Sequence, residues 1–224
     1  MPEALKVGIV GRHGRLGSAA ATWVREDPEL DLVGAVGPSD DWTALEGAIV
    51  CLEVTRAGLG AVHAKRALDL GMRPLVGTSG VSHLEVDELD EHARSLGLGG
   101  AVIPNFSIGF LALCRAAAVA QRDLQAASIV EAHRPQKADA PSASALHLAN
   151  RAGVPARSVA SVRVPGVTAI HELRMIADAE SLVLRHESQG LESFRGGLLA
   201  SLRFAAAVDG VAYGLDEVMG ELAL

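Results

Sequence analysis

The chain reads as an α/β protein: a doubly wound parallel-sheet domain followed by a smaller α+β domain with a mixed or antiparallel sheet. Three observations carry this reading. Through the first hundred residues, short β-branched runs alternate with helix-length stretches, the pattern of βαβ units. A glycine-rich turn joins the first such run to the first helix. After Pro104-Asn105 the alternation breaks, and later strand-like runs follow one another with no room for crossover helices.

Residues 5–10 are short, apolar and β-branched, and read as a buried first strand. Residues 16–24 read as a helix whose alanines would press closely on a sheet. A second strand spans 30–36 and stops at the turn Gly37-Pro38-Ser39-Asp40-Asp41. A third strand over 48–54 leads to a helix over 59–70, and residues 74–77 begin the next strand. A polar-faced helix spans 83–96, with a further strand at 100–103. The second part starts with a long apolar helix, 108–121, followed by a strand at 127–133 and a helix at 142–152. Three strands then come in succession, 158–164, 168–176 and 181–187. A helix over 193–208, started by Ser193 or Glu192, closes the pattern, and its continuation towards Leu224 is expected to return to the first domain. The expected division is therefore 1–106 with 192–224 as a dinucleotide-binding domain, and 107–191 as a substrate-binding and oligomerisation domain.

Composition excludes several functions. A net charge of −7 argues against nucleic acid as a partner, so an anionic substrate must be drawn by a local cluster of positive charge. Cys51 and Cys114 lie inside apolar runs and read as buried thiols of a reducing compartment. No apolar run reaches the roughly 20 residues of a membrane span, and Met1-Pro2-Glu3 does not begin a signal peptide. A cytoplasmic protein without a membrane partner is expected.

Gly11-Arg12-His13-Gly14-Arg15-Leu16-Gly17 lies between the first strand and the first helix. Its spacing is G-x-x-G-x-x-G, yet it meets the needs of a Rossmann-like dinucleotide turn: no Cβ at the sharp bend, at the pyrophosphate, or where helix meets strand. The helix start offers free N–H groups and partial positive charge, to which Arg12 and Arg15 add. The acidic residue expected to hold the adenosine ribose is absent, since Gly37-Pro38 occupies that place. Asp40 or Asp41 is near enough to substitute, or both are solvated turn residues, so the choice between NADH and NADPH stays open. Arg12 is a candidate for a 2′-phosphate.

Gly77-Thr78-Ser79-Gly80 and Pro104-Asn105-Phe106-Ser107-Ile108-Gly109 each follow a strand, at the edge where such sheets bind ligands. The sharpest cluster is Glu131-Ala132-His133-Arg134-Pro135-Gln136-Lys137, followed by Ala138-Asp139-Ala140-Pro141-Ser142. Pro135 disfavours a helix through residue 134, so His133 ends a strand and Lys137 sits on a loop. Pro141-Ser142 reads as a helix entrance whose first N–H groups lack helical partners, and Ser144 adds a hydroxyl. A carboxylate held there, with Lys137 or Arg134 opposite, would be paired and charge-assisted. A histidine beside it titrates near neutrality and can supply a proton.

Taken together, these motifs resemble the 4-hydroxy-tetrahydrodipicolinate reductase (dihydrodipicolinate reductase) family of the diaminopimelate and lysine pathway, over nearly the whole chain. The family's GxxGRMG matches Gly11 to Gly17, its GTTG matches Gly77 to Gly80, and its PNFSIG stands unchanged at Pro104 to Gly109. Its long E-x-H-H-x-x-K-x-D-A-P-S-G-T-A signature matches Glu131 to Ala145. Arg163 to Gly166, Arg185 to Ser188, Phe194 and Gly196 fit its later pattern. The resemblance implies NADH- or NADPH-dependent reduction of a cyclic dicarboxylate, with His133 as proton donor and Lys137 as its basic partner. It implies that Ser142, Ala143 and Ser144 bind a substrate carboxylate, and that Gly77, Thr78, Ser79 and Phe106 line the nicotinamide site. It also implies a homotetramer built through the second domain's sheet, and no metal. The chain departs from the family at Arg134 (for its second histidine), at Ala143-Ser144 (for Gly-Thr), at Gly37 (for its acid) and at Glu53-Val54-Thr55 (for D-F-T), and it is short between the second and third strands. Two alternatives follow from these departures: a related reductase of another small imine or carbonyl acid, or a silent dinucleotide-binding homologue.

Overall fold

A computed structural model describes residues 3–220. Within them the chain divides into two units, one holding everything up to Phe106 together with everything from Phe194, the other holding Ser107–Ser193.

The first unit is built on a six-stranded sheet whose pairings are all parallel. Its strands are β1 (Leu5–Val10), β2 (Leu30–Val36), β3 (Val50–Glu53), β4 (Arg73–Val76), β5 (Gly99–Val102) and, after the second unit, β10 (Gly210–Tyr213), in the order β10-β5-β4-β3-β1-β2. Every residue of β3 and β5 is buried, as expected of strands covered on both faces. The covering helices are α1 (Arg15–Glu26), α2 (Gly60–Asp69), α3 (His83–Ser95) and α6 (Arg195–Ala207). Ala64 and Leu68 of α2 pack with Val86, Leu89 and Ala93 of α3 over Val76 and Val102. Because β2 and β3 lie on opposite sides of β1, the strand order reverses there, and the ends of β1 and β3 form the crevice where such sheets take ligands.

The connection from β2 to β3 carries no α-helix, only a 3-10 turn over Trp42–Leu45. Gly34 makes this possible: a Cβ there would lie 2.0 Å from the Ala44 carbonyl oxygen. The turn therefore rests its backbone directly on the sheet, and Trp42 and Leu45 fill a small core with Val10, Val36 and Cys51.

The second unit has a four-stranded mixed sheet of β6 (Gln125–His133), β7 (Val159–Arg163), β8 (Ala169–Ile176) and β9 (Ser181–Ser188), in the order β7-β6-β8-β9. β6 and β7 are parallel and joined through α5 (Ala143–Arg151); the other pairings are antiparallel. The apolar helix α4 (Ile108–Ala120) and α5 bury one sheet face through Phe110, Leu113, Cys114, Leu148, Ile129, Leu173 and Met175. The period of two in β6 turns Ile129, Glu131 and His133 toward that buried side and Val130 outward.

One expectation is extended and another corrected. The residues beyond 208 form β10 and the short α7 (Leu215–Met219), so the sheet gains a sixth strand that residues 210–213 are too few and too glycine-flanked to announce. Residues 221–224, also expected to return to the first domain, lie outside the described residues, as do Met1 and Pro2. Neither Ser193 nor Glu192 caps α6: its N-cap is Phe194, and the Ser193 hydroxyl donates to the Gly190 carbonyl at 2.7 Å. Among the described residues no helix is long and apolar enough to cross a membrane.

Replacing Gly34 with alanine forces Cβ onto a backbone oxygen that cannot swing aside. The expected cost is about 1–3 kcal/mol, read as a lower urea midpoint; an unchanged midpoint would show that the turn does not need this close approach.

Candidate active site

Each unit carries its own cluster of candidate functional residues. In the first, β1 is followed at once by Gly11, whose φ of +111° suits glycine. The Gly11 and Arg12 N–H groups donate to the Val36 carbonyl at 2.9 and 3.1 Å, and the Gly14 N–H donates to Gly11 at 2.9 Å. A Cβ on Gly11 would lie 2.5 Å from the Val54 oxygen, and one on Gly17 would lie 2.2 Å from the Gly11 oxygen. α1 then starts with Gly14 as N-cap and no side-chain acceptor, which leaves its first amides and the positive end of its dipole for an anion. A cleft of about 460 Å³ lies before this turn, lined by Gly11, His13, Gly14, Asp40, Trp42 and Arg66 among others. A second, of about 250 Å³, is lined by Gly14, Arg15, Leu16, Gly77, Thr78 and Ser79. Both share Gly14, Val54, Thr55 and Arg56, so they form one groove along the strand ends.

A buried carboxylate stiffens that groove. Glu53 Oε1 accepts from the Thr55 N–H at 3.2 Å and from the Thr55 hydroxyl, and faces His63 Nδ1 at 3.1 Å. The Thr55 N–H also donates to the Thr78 hydroxyl at 2.9 Å, tying the loop after β3 to the loop after β4. Phe106, expected to line the nicotinamide site, is buried, and its ring fills the space where a Gly77 Cβ would stand, 2.7 Å away. It backs the Gly77 loop. Pro104 and Asn105 are half-buried and line neither cleft.

In the second unit His133 ends β6, buried, with Nδ1 3.4 Å from Glu131 Oε2. That is an electrostatic contact, longer than a well-formed hydrogen bond. Glu131 is completely buried and accepts from the Ser142 N–H at 2.9 Å, from the Ser142 hydroxyl, and from the Ser161 hydroxyl at 2.7 Å. Burial pushes its carboxyl up, but these hydrogen bonds outweigh burial and hold it below the usual range. His133 is pushed down by burial, opposed by the charge of Glu131 and helped by Lys137 and Arg163. Arg163 clasps the following loop: Nε donates to the Lys137 carbonyl at 3.1 Å and a terminal nitrogen to the Asp139 carbonyl. Lys137 Nζ donates to both Asp139 carboxylate oxygens at 2.8 and 2.9 Å.

His133, Lys137, Ser142 and the α5 N-terminus with Ala143 and Ser144 are thus brought together, and Arg134 lies half-buried at the head of the loop. Ser142 needs a correction. It was expected to bind substrate, but it is buried, its N–H and hydroxyl both go to Glu131, and its oxygen accepts the Ala145 N–H at 3.1 Å. It is an anchor. Sequence reasoning missed the roles of Glu131 and Arg163 and the neighbouring His171 and His186. Glu131 had a readable signal: two residues before His133 in a strand, it must share that residue's face. His171 and His186 arrive from β8 and β9 by pairing, with His171 opposite both Glu131 and His186. The His171 ring lies edge-on to His133 at 5.3 Å and stacks on His186 at 6.3 Å. Glu131, His133 and His171 bring metal-ligand atoms within 4.8 Å of one another. Both Glu131 oxygens are already hydrogen-bonded, however, which favours acid–base chemistry.

Family models match both parts of the chain: "Dihydrodipicolinate reductase, N-terminus" over residues 5–106 and "Dihydrodipicolinate reductase, C-terminus" over residues 108–219. A 4-hydroxy-tetrahydrodipicolinate reductase of Prochlorococcus marinus is 30% identical, covering 97% of this chain and 98% of the relative. That of Bacillus subtilis is 29% identical with the same coverage. The alignment with the latter spans 263 positions against 224 residues here, so at least 39 have no counterpart in this chain (263 − 224). The fold matches a dipicolinate-bound dihydrodipicolinate reductase from Paenisporosarcina, with TM-score 0.80, 23% identity, and coverage of 96% of this chain and 99% of that one.

His171 generates a pH prediction. Burial, then His133, brings it down to about 4 from 6.5, and neither nitrogen has a hydrogen-bond partner among the described residues. The unfolded chain takes up this proton as pH falls through about 6.5, whereas the folded chain resists until about 4. Stability is therefore fully present above about pH 6.5 and is lost across that window, by up to about 3 kcal/mol. His171→Phe should flatten the difference between urea midpoints at neutral and mildly acidic pH; a variant as acid-sensitive as the parent would remove His171 as the cause.

Proposed function

Since this chain belongs to the dihydrodipicolinate reductase family, we propose that it reduces 4-hydroxy-tetrahydrodipicolinate with NADH or NADPH. Substrate, reduced dinucleotide and a proton give tetrahydrodipicolinate, water and oxidised dinucleotide. The carrying observation is the Glu131 carboxylate, which faces His133 and also fixes the start of α5 through Ser142.

The glycine turn fits a dinucleotide: Gly11 and Gly14 line an open groove, α1 starts there without a side-chain cap, and Gly11 and Gly17 stand where a Cβ would strike backbone. Gly11, His13, Gly14, Arg15, Leu16 and the loop Gly77 to Ser79 hold it, with Arg12 beside the groove; Gly17 gives the close packing, and Phe106 with Pro104 and Asn105 backs the loop. A bound reduced nicotinamide supplies the hydride. His133 supplies the proton from Nε2, while Glu131 at Nδ1 keeps the ring oriented and raises its proton affinity against the pull of burial. The amides of Ala143 and Ser144 at the α5 N-terminus hold one substrate carboxylate. Lys137 exchanges Asp139 for a substrate carboxylate, and Arg134 adds charge. Residues 1–106 with 192–224 serve the dinucleotide, and 107–191 serve substrate and assembly. The outer face of the second sheet supports a homotetramer, because Val130, Val162 and Val183 are each about two-fifths exposed there and such a face needs a cover. The buried thiols of Cys51 and Cys114 suit the cytoplasm.

The test is consumption of NADH or NADPH with freshly made 4-hydroxy-tetrahydrodipicolinate; dinucleotide binding without turnover would sink the reading. His133→Gln should lower kcat about 10²–10⁴-fold and leave dinucleotide affinity unchanged, and equal loss of both would make His133 architectural. Glu131→Gln should move the alkaline limb of the pH–rate profile to lower pH, because the charge that favours protonated His133 is gone. An unmoved limb would restrict Glu131 to anchoring α5.

A further inference from the structure

The dinucleotide groove contains a charge arrangement that the glycine turn alone does not explain. In dinucleotide-binding sheets an acid at the end of the second strand reads the adenosine ribose. Here that position is Gly37, which carries no side chain; a Cβ would lie 2.6 Å from the His13 ring carbon and 2.8 Å from its Nε2, so a larger residue would have to displace the exposed His13 ring. The acid has moved three residues on. Asp40 folds back so that Oδ2 accepts the Gly37 N–H at 2.7 Å and meets an Arg12 terminal nitrogen at 3.0 Å. Asp41 does a different job, accepting the Thr43 N–H at 3.0 Å to cap the 3-10 turn. The two aspartates, equivalent in the sequence, are thereby distinguished.

We propose that the Asp40–Arg12 pair sets which dinucleotide this chain prefers, with NADH favoured. The inference rests on the dinucleotide-binding part of the proposed function and deepens it. Both contacts of Asp40 fall on Oδ2, so Oδ1 is the atom that accepts the adenosine ribose hydroxyl. A 2′-phosphate would bring like charge to that carboxylate. The cation best placed to offset it, Arg12, is engaged by Asp40, by the Ala35 carbonyl at 3.4 Å and by His13 at 3.1 Å. Arg66, also in the cleft, lies 4.5 Å over the Trp42 ring, in cation–π contact. Asp40 therefore acts twice, as acceptor for the diol and as the group that withholds Arg12 from a phosphate.

Equilibrium titration of the full chain with NADH and NADPH, read by nicotinamide fluorescence without substrate, tests this independently of turnover. The parent should bind NADH about ten-fold or more tighter than NADPH. Asp40→Asn keeps an acceptor for the Gly37 N–H and should bring the two affinities close together. Asp40→Ala should favour NADPH, and adding Arg12→Ser should abolish that gain. A parent that prefers NADPH, or a ratio that moves less than two-fold in both Asp40 variants, would overturn the inference while leaving dinucleotide binding intact. A parent that binds neither dinucleotide would overturn the proposed function with it.

Discussion

The second unit depends on one buried carboxylate. Glu131 sits inside a sheet–helix interface with no exposed surface, where an unpaired charge would cost several kcal/mol. It is tolerated because the Ser142 N–H, two serine hydroxyls and the nearby Arg163 and His133 satisfy it. These partners come from four places: β6 itself, the N-cap of α5, and two positions on β7. One charge therefore sets the spacing between the histidine and the helix start that flanks it.

The first unit obeys a constraint of a different kind, steric rather than electrostatic. Gly11, Gly17 and Gly34 each stand where backbone passes too close for a β-carbon. Two of these contacts shape the turn between β1 and α1, and the third lets the β2–β3 connection lie flat. Glu53 plays a related part after β3: it is a buried acceptor for the Thr55 N–H and hydroxyl and faces His63 of α2, while the Thr55 N–H also donates to Thr78 in the loop after β4.

Much of this was legible in the sequence, for identifiable reasons. The strands of the first unit up to β5 are short apolar runs, and the helices between them have period and length to match, so their order could be read directly. β10 could not, because a four-residue strand that begins with one glycine and is followed by another carries too little pattern. His133, Lys137 and the α5 entrance were visible since proline and serine punctuate the chain there. The part played by Ser142 was not, because a serine that caps a helix and one that binds a ligand look identical until the buried Glu131 is seen to take its donors. His171 and His186 were invisible for a further reason: strand pairing, a long-range event, puts them beside His133. The same holds for Asp40 and Asp41, adjacent in the chain and separated in role only by the way the turn folds.

The bare connection between β2 and β3 has a wider consequence. Where a crossover helix is present, one wall of the adenosine end is a rigid cylinder with many interlocked side chains. Here that wall is a single tight turn carrying Trp42. On the proposed role of Asp40, the selectivity of this end rests on a handful of neighbouring codons, and a lineage built on this trimmed scaffold would retune its coenzyme supply by point substitution with the sheet beneath untouched.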